Sequence, residues 1–140
     1  MALLGVIGGS GLYGLNQSGR EISVSTPWGP SSGPTVIYEA GDGLAFIARH
    51  GTEHSIAPHR VNYRANIHAL REAGCDRILA VSSVGGIDPA CQPGTIVVPD
   101  QLIDYTWGRE MTFQGADDPV LHFDFTDPYS PGWRRKVTAA

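Results

Sequence analysis

Leu44-Ala45-Phe46-Ile47-Ala48 and Arg77-Ile78-Leu79-Ala80-Val81 are short, continuous apolar runs with the length of buried strands. Between them, Val61, Ala65, Ile67, Ala69 and Leu70 fall near helical spacing, and Glu72-Ala73-Gly74 supplies a stop, which predicts a helix over Asn62 to Ala73. Strand, helix and strand from Leu44 to Val81 have the length of a βαβ unit, so this stretch decides the fold class: α/β, with a parallel pair and a right-handed crossover. The first strand stops at Arg49-His50-Gly51-Thr52-Glu53-His54, a sudden set of polar and cationic side chains. Arg49 and His50 fall at its carboxyl end, where open α/β sheets place their ligands. A permanent cation beside a second donor suits an anion.

Working outward, Leu3 to Ile7 reads as another buried strand, running into Gly8-Gly9-Ser10-Gly11-Leu12-Tyr13-Gly14. Glycines there allow backbone N–H groups to approach a ligand, so this loop is a first candidate phosphate cradle. Arg20 to Ser25 and Thr35 to Glu39 flank a Pro- and Gly-rich connection and read as a hairpin around a rigid turn. Gly41-Asp42-Gly43 turns the chain into the Leu44 strand. Beyond Val81, Thr95 to Val98 reads as a short strand, Asp100 to Asp127 as loop, and Pro131 to Val137 as the first turns of a helix. Basic residues near the start of a helix oppose its dipole, and so short a helix is marginal alone. The expectation is a truncated chain.

The 140 residues have room for a single domain, or part of one, and carry a net charge of −4. With no run of Lys or Arg, the electrostatic footprint of a nucleic-acid binder is missing, so the expected partner is small. No basic and apolar leader opens the chain and no run is long enough to span a bilayer, which places the expectation in the cytoplasm, away from membranes. Cys75 and Cys91 lack C-x-x-C spacing and read as free thiols. No internal repeat is visible.

Several motifs have competing readings. Gly9-Ser10-Gly11-Leu12-Tyr13-Gly14 matches the dinucleotide fingerprint in letters, but the residues after it carry glycines and prolines without a 3.6 period, so the following helix is missing. An anion cradle and a plain tight turn both remain open there. His50-Gly51-Thr52-Glu53-His54 matches H-x-x-E-H, yet Gly51 lies inside it and a strand ends just before it, so zinc is disfavoured and no metal is expected. Arg49 can donate in a bidentate manner to phosphate, or hold a structural salt bridge. Ser82-Ser83-Val84-Gly85-Gly86 repeats the first loop's design of buried strand, hydroxyls and glycines; it is not the G-x-S-x-G of a nucleophile elbow. The two loops converge if their strands are neighbours. The aspartates from Asp100 to Asp127 match no EF-hand spacing and read as solvated or turn-forming.

Taken in order, Ile7-Gly8-Gly9-Ser10-Gly11-Leu12, Ala48-Arg49-His50-Gly51, His54, Val61-Asn62-Tyr63-Arg64-Ala65-Asn66-Ile67, Ser82-Ser83-Val84-Gly85-Gly86-Ile87, Pro93 to Asp104 and His122 to Tyr129 resemble the trimeric purine nucleoside phosphorylase and methylthioadenosine phosphorylase family. The resemblance is collinear and covers nearly the whole chain. It implies a three-layer α/β fold with a mixed central sheet, of which residues 1–140 form the amino-terminal part of a single domain and the carboxy-terminal part is missing. It also implies phosphorolysis of a purine nucleoside without a cofactor, inorganic phosphate being a co-substrate. A dianionic nucleophile is held beneath a developing sugar cation, so its placement supplies proximity and electrostatic stabilisation together.

By the same resemblance, Ser10, Arg49, His50, Ser83 and the backbone N–H of Val84 bind phosphate. His54 and His122 serve the sugar 5′ end, His122 being lent to a neighbour in a homotrimer, and the base stacks near Gly85 and Gly86. Val84-Gly85-Gly86-Ile87 and Asp104 to Glu110 look closer to bacterial members acting on 5′-methylthioinosine and other 6-oxopurine nucleosides than to methylthioadenosine enzymes. The family's leaving-base residues have no counterpart in this sequence, so no catalytic residue is assigned and the isolated chain is expected to be inactive. The alternatives are a 5′-methylthioadenosine phosphorylase, and a truncated, non-catalytic phosphate-binding or oligomerisation module. A nucleoside hydrolase would need carboxylates for calcium, which the amino-terminal strand and loop lack.

Overall fold

In the computed structural model, Leu3–Gly8 (β1), Arg20–Ile22 (β2), Thr35–Tyr38 (β3), Leu44–Ala48 (β4) and Cys75–Val81 (β5) pair into one sheet in the order β2-β3-β4-β1-β5. The structure describes residues 3–9, 11–12, 19–38 and 43–140. The hairpin is antiparallel, with Arg20 opposite Ile37 and Ile22 opposite Thr35, and β3 joins β4 in the same sense. From β4 onward the sheet is parallel: β1 lies between β4 and β5, with Gly8 paired to Ala48 on one side and Val81 on the other. The sheet is therefore mixed. The connection from β4 to β5 passes over the central strand instead of joining immediate neighbours.

The continuous apolar runs are explained by burial on both faces, since successive side chains of a strand point to opposite sides. On one face Ile7, Ile37, Ala45 and Ile47 pack with Ala69 and Leu70 of the helix Tyr63–Glu72 (α1). On the other, Val6, Phe46 and Ala48 form a second cluster with Leu12, Tyr38 and Leu79. A Cβ on Gly8 would lie 2.5 Å from the Phe46 ring, so the absence of a side chain there is what lets Phe46 lie across the strand ends. Asn62 caps α1 by accepting the Ala65 N–H at 3.1 Å, Ala73 closes it, and Gly74 follows at φ +94°. This is the stop predicted by Glu72-Ala73-Gly74. Ile67, counted in the helical pattern, is 38% exposed and faces away from the core.

The chain divides into two compact units, Met1–Ser83 with Glu110–Phe113, and Val84–Arg109 with Gln114–Ala140. The first contains the sheet and α1. None of the residues of the second unit is buried, and Ile87, Ile96, Tyr105 and Trp107 are all more than four-fifths exposed, at 100%, 89%, 86% and 88%. Thr95 to Val98 is irregular here and not the strand expected from its sequence: among the described residues it joins no sheet, and an isolated strand leaves its backbone hydrogen bonds unmade. The helix Pro131–Thr138 (α2) does form, with Ser130 accepting the Trp133 N–H and proline in its first turn. Arg134 of α2 donates to the Pro99 carbonyl at 2.9 Å and pairs with Asp100 at 3.7 Å. Two turns of the same design occur in this unit: Asp104 accepts from the N–H and hydroxyl of Thr106, and Asp124 from those of Thr126. The threonine hydroxyls, then the amides, hold both carboxyls below their ordinary value.

Candidate functional site

Three parallel strand ends meet where Gly8, Ala48 and Val81 share one register. Arg49 immediately follows β4, and its N–H continues the ladder to the Gly8 carbonyl at 2.9 Å. Its side chain then crosses the end of β1. Nη2 donates to the Val81 carbonyl at 2.9 Å and to Ile7 at 3.5 Å, and Nη1 to the Ser82 hydroxyl at 2.5 Å. A guanidinium has five N–H donors, so these bonds anchor the fork and leave Nε and one Nη1 hydrogen for a ligand. A Cβ on Gly9 would stand 3.6 Å from Nη1, so the backbone at Gly9 passes close to the cation without a side chain of its own. The Gly9 N–H bonds the Val81 carbonyl at 3.3 Å, which ties that loop to the end of β5.

The loop after Arg49 is folded back on itself. Gly51 donates to the Ala48 carbonyl and His54 to the Gly51 carbonyl, both at 3.1 Å. The Ile56 N–H reaches the His50 carbonyl at 3.0 Å, while His50 Nδ1 lies 2.9 Å from the Ile56 carbonyl. A carbonyl only accepts, so Nδ1 carries the hydrogen and Nε2 is the nitrogen left for a ligand. The His54 ring stands 5.1 Å from that of His50, tilted by 41°. His54 has φ 52°, a left-handed conformation uncommon for a side-chain-bearing residue, and such positions cluster at functional sites. Gly51, at φ 78°, makes the turn between them.

Of the expected site residues, the structure brings together Arg49 and His50, assigned to phosphate, and His54, assigned to the sugar 5′ end, around the end of β4, with Ser83 just beyond β5 next to Ser82. Ser10 lies outside the described residues. Val84, Gly85, Gly86 and His122 belong to the second unit, where all are exposed. Sequence reasoning chose Ser83 and passed over Ser82, the residue that takes the arginine. The signal for Ser82 was its place as the first hydroxyl after a strand that neighbours β1. Among the described residues no group of three or more metal-ligating side chains occurs.

A guanidinium and an oriented imidazole at the carboxyl ends of parallel strands stand where open α/β sheets place their ligands. The Phosphorylase superfamily model matches residues 3–140, and the chain belongs to that superfamily. It is 51% identical, over 98% of its length and 56% of the relative's, to a probable S-methyl-5'-thioinosine phosphorylase of Xanthomonas campestris pv. campestris. It is 47% identical to the S-methyl-5'-thioadenosine phosphorylase of Mycolicibacterium smegmatis, over 97% of this chain and 52% of that protein. The methylthioadenosine phosphorylase of Schistosoma mansoni in complex with tubercidin superposes with a TM-score of 0.92 at 37% identity, covering 99% of this chain and 51% of the other. The mixed sheet and its helices thus have the phosphorylase fold. The chain spans about half the length of the curated relatives it matches.

Proposed function

We propose that the protein carrying this chain cleaves the N-glycosidic bond of a purine nucleoside by phosphorolysis, with 5′-methylthioinosine or another 6-oxopurine nucleoside as substrate. A phosphate oxygen forms a bond to C1′ as the C1′–N bond breaks; the bonding pair leaves on the base, which takes a proton, and (5-methylthio)ribose 1-phosphate remains. The observation that carries this reading is Arg49, fixed across three strand ends with free donors, beside a His50 whose Nδ1 is already committed to a carbonyl. Such a preorganised pair can hold hydrogen phosphate in place while positive charge develops on the sugar, Arg49 donating to the anionic oxygens and His50 Nε2 accepting the phosphate O–H.

In this reading Ser10, Arg49, His50, Ser83 and the Val84 N–H hold phosphate. His54 faces the sugar 5′ end and the base lies against Gly85 and Gly86, where missing side chains leave room for a flat ring. These 140 residues are the amino-terminal part of one phosphorylase domain. His122 is lent to a neighbour in a homotrimer; its exposed position, flanked by exposed Leu121 and Phe123, supports a role at an interface. The reaction needs no cofactor and takes place in the cytoplasm, a reading supported by the absence of any membrane-spanning helix among the described residues.

The relative from Xanthomonas campestris supports the thioinosine substrate, and those from Mycolicibacterium smegmatis and Schistosoma mansoni support 5′-methylthioadenosine as the alternative. Ultraviolet absorbance of the full-length protein with each nucleoside, with and without phosphate, decides between them. Phosphate-dependent release of hypoxanthine, faster than release of adenine, is expected. Base release that ignores phosphate would overturn the proposal, and preferential release of adenine would transfer it to the alternative substrate.

A further inference from the structure

The side of α1 that carries Asn62 and Asn66 holds a second structure, which the anion site itself does not explain. Asn66 is 1% exposed, a fully buried amide in an otherwise apolar setting of Ala65, Ala69 and Leu70. Its Oδ1 accepts the Ser32 N–H at 2.7 Å and its Nδ2 donates to the Ser32 hydroxyl at 2.9 Å, so both ends of the amide engage one residue of the hairpin connection. One helical turn earlier Asn62 also uses both ends, since Oδ1 caps the helix and Nδ2 donates to the Trp28 carbonyl at 2.7 Å. The segment from Trp28 to Ser32 is thereby strapped along α1. Thr26 and Ser31 stiffen it, by donating to the Gly29 carbonyl at 2.5 Å and the Gly33 carbonyl at 2.8 Å. Trp28 packs edge-on against His68 of α1 and Phe113, with ring centroids 5.2 and 4.9 Å apart.

The strap ends against the anion-site loop. A Cβ placed on buried Gly51 would lie 3.4 Å from the Ser32 carbonyl oxygen, so that backbone is the wall against which the Arg49–Ile56 turn rests. Gly51 separates His50 from the rest of that turn, and its φ of 78° sets the direction in which the His50 and His54 rings leave the backbone. A buried amide that left the wall free to move would cost as much desolvation as one that fixed it. Here each polar atom of the amide is spent on a single residue whose carbonyl lies where a side chain on Gly51 would meet it.

We propose that Asn66, through Ser32 and Gly51, is a positioning residue that sets the orientation of the His50 imidazole for a phosphate-class anion, and that Asn62 supports it by holding the other end of the strap. This inference rests on the phosphate reading of the Arg49 and His50 site. Neither asparagine touches the ligand; both act through the loop.

The test uses Asn66→Ala in the full-length protein, with ¹⁵N spectra of the His50 ring and titration with inorganic phosphate. Ala69→Gly serves as the control, because it loosens the same helix without touching the strap. In the unaltered protein His50 should show a single Nδ1–H tautomer. Asn66→Ala should give mixed tautomers and weaken phosphate binding about tenfold, the scale of one well-oriented hydrogen bond lost. Ala69→Gly should keep both properties. If Asn66→Ala does not fold, Ser32→Ala removes only the hydroxyl acceptor and should move both readouts in the same direction by a smaller amount. A locked tautomer with unchanged binding in the asparagine variant, or in the serine variant where that must stand in, overturns the proposal. Equal loss in the Ala69→Gly control does so as well. Failure of the unaltered protein to bind phosphate would instead sink the functional reading, and the tautomer measurement would still decide the positioning role.

Discussion

Arg49 is anchored in the fold and, in the proposed function, is also a phosphate donor. A salt bridge and a phosphate contact are competing readings of this arginine in the sequence; among the described residues its side chain bonds neutral groups, the carbonyls of Ile7 and Val81 and the hydroxyl of Ser82. Neutral acceptors orient the fork while leaving its charge uncompensated, which is what an anion site requires. Arg49→Lys keeps the charge but cannot span two strand ends. It is expected to weaken phosphate binding by about 2 kcal/mol, in the range of a lost charged hydrogen bond, while the unfolding midpoint moves little. Calorimetric titration checks the first and thermal denaturation the second; retained affinity would mean that charge alone suffices. The adjacency of Arg49 and His50 at a strand end was legible in the sequence, because an apolar run that stops at an arginine and a histidine is a local pattern. Ser82 was not, since its partner is 33 positions away and only the pairing of β5 with β1 brings them together.

At the scale of elements, α1 is held by a narrow apolar stripe. Leu70 is fully buried among Ile7, Ala45 and Ile47, whereas Ile67 is 38% exposed. Leu70→Ala should cost about 3 kcal/mol in denaturant unfolding, and Ile67→Ala less than about 1 kcal/mol. Equal costs would show that the helix packs through a different face. The two Asp-x-Thr turns give a second expectation. A carboxyl whose folded pKa is lowered contributes stability above its unfolded pKa and loses it as pH falls through the folded value. The turns at Asp104 and Asp124 are therefore at full strength near neutrality, and their Thr106 and Thr126 amide resonances should shift on acidification with midpoints below the ordinary aspartate range. Midpoints at the ordinary value would show that the hydroxyl and amide bonds do not persist in solution. The strand expected at Thr95 to Val98 does not form: β-propensity describes a residue's fit to a neighbouring strand, and among the described residues this segment pairs with none.

Across the whole molecule the two units differ in kind. The first buries Phe46, Ile47, Leu70 and Val36 almost completely, while the second buries no residue and exposes Ile87, Ile96, Trp107 and Phe123. Local stability follows buried apolar contact, so amides of α2 and of residues 84–109 should exchange with solvent faster than those of β1, β4 and α1. Hydrogen exchange of this chain measures the difference, and protection of α2 equal to that of β4 would contradict it.

By itself the sequence determined the elements and the chemical character of the site. Short apolar runs, glycine stops and capping residues act over a few neighbours, so the strands Leu3–Gly8 and Leu44–Ala48 and the helix Tyr63–Glu72 could be read where they stand. The collinear motifs likewise carried the family, because order and spacing survive in one dimension. Only the tertiary structure decided that β1 lies between β4 and β5, since strand order depends on long-range pairing that local pattern does not encode. From that order follow the meeting of Arg49 with Ser82 and Val81, and the reach of the Trp28–Ser32 strap across α1 to Gly51. These contacts join residues distant in the chain, and packing, not adjacency, brings them into one site.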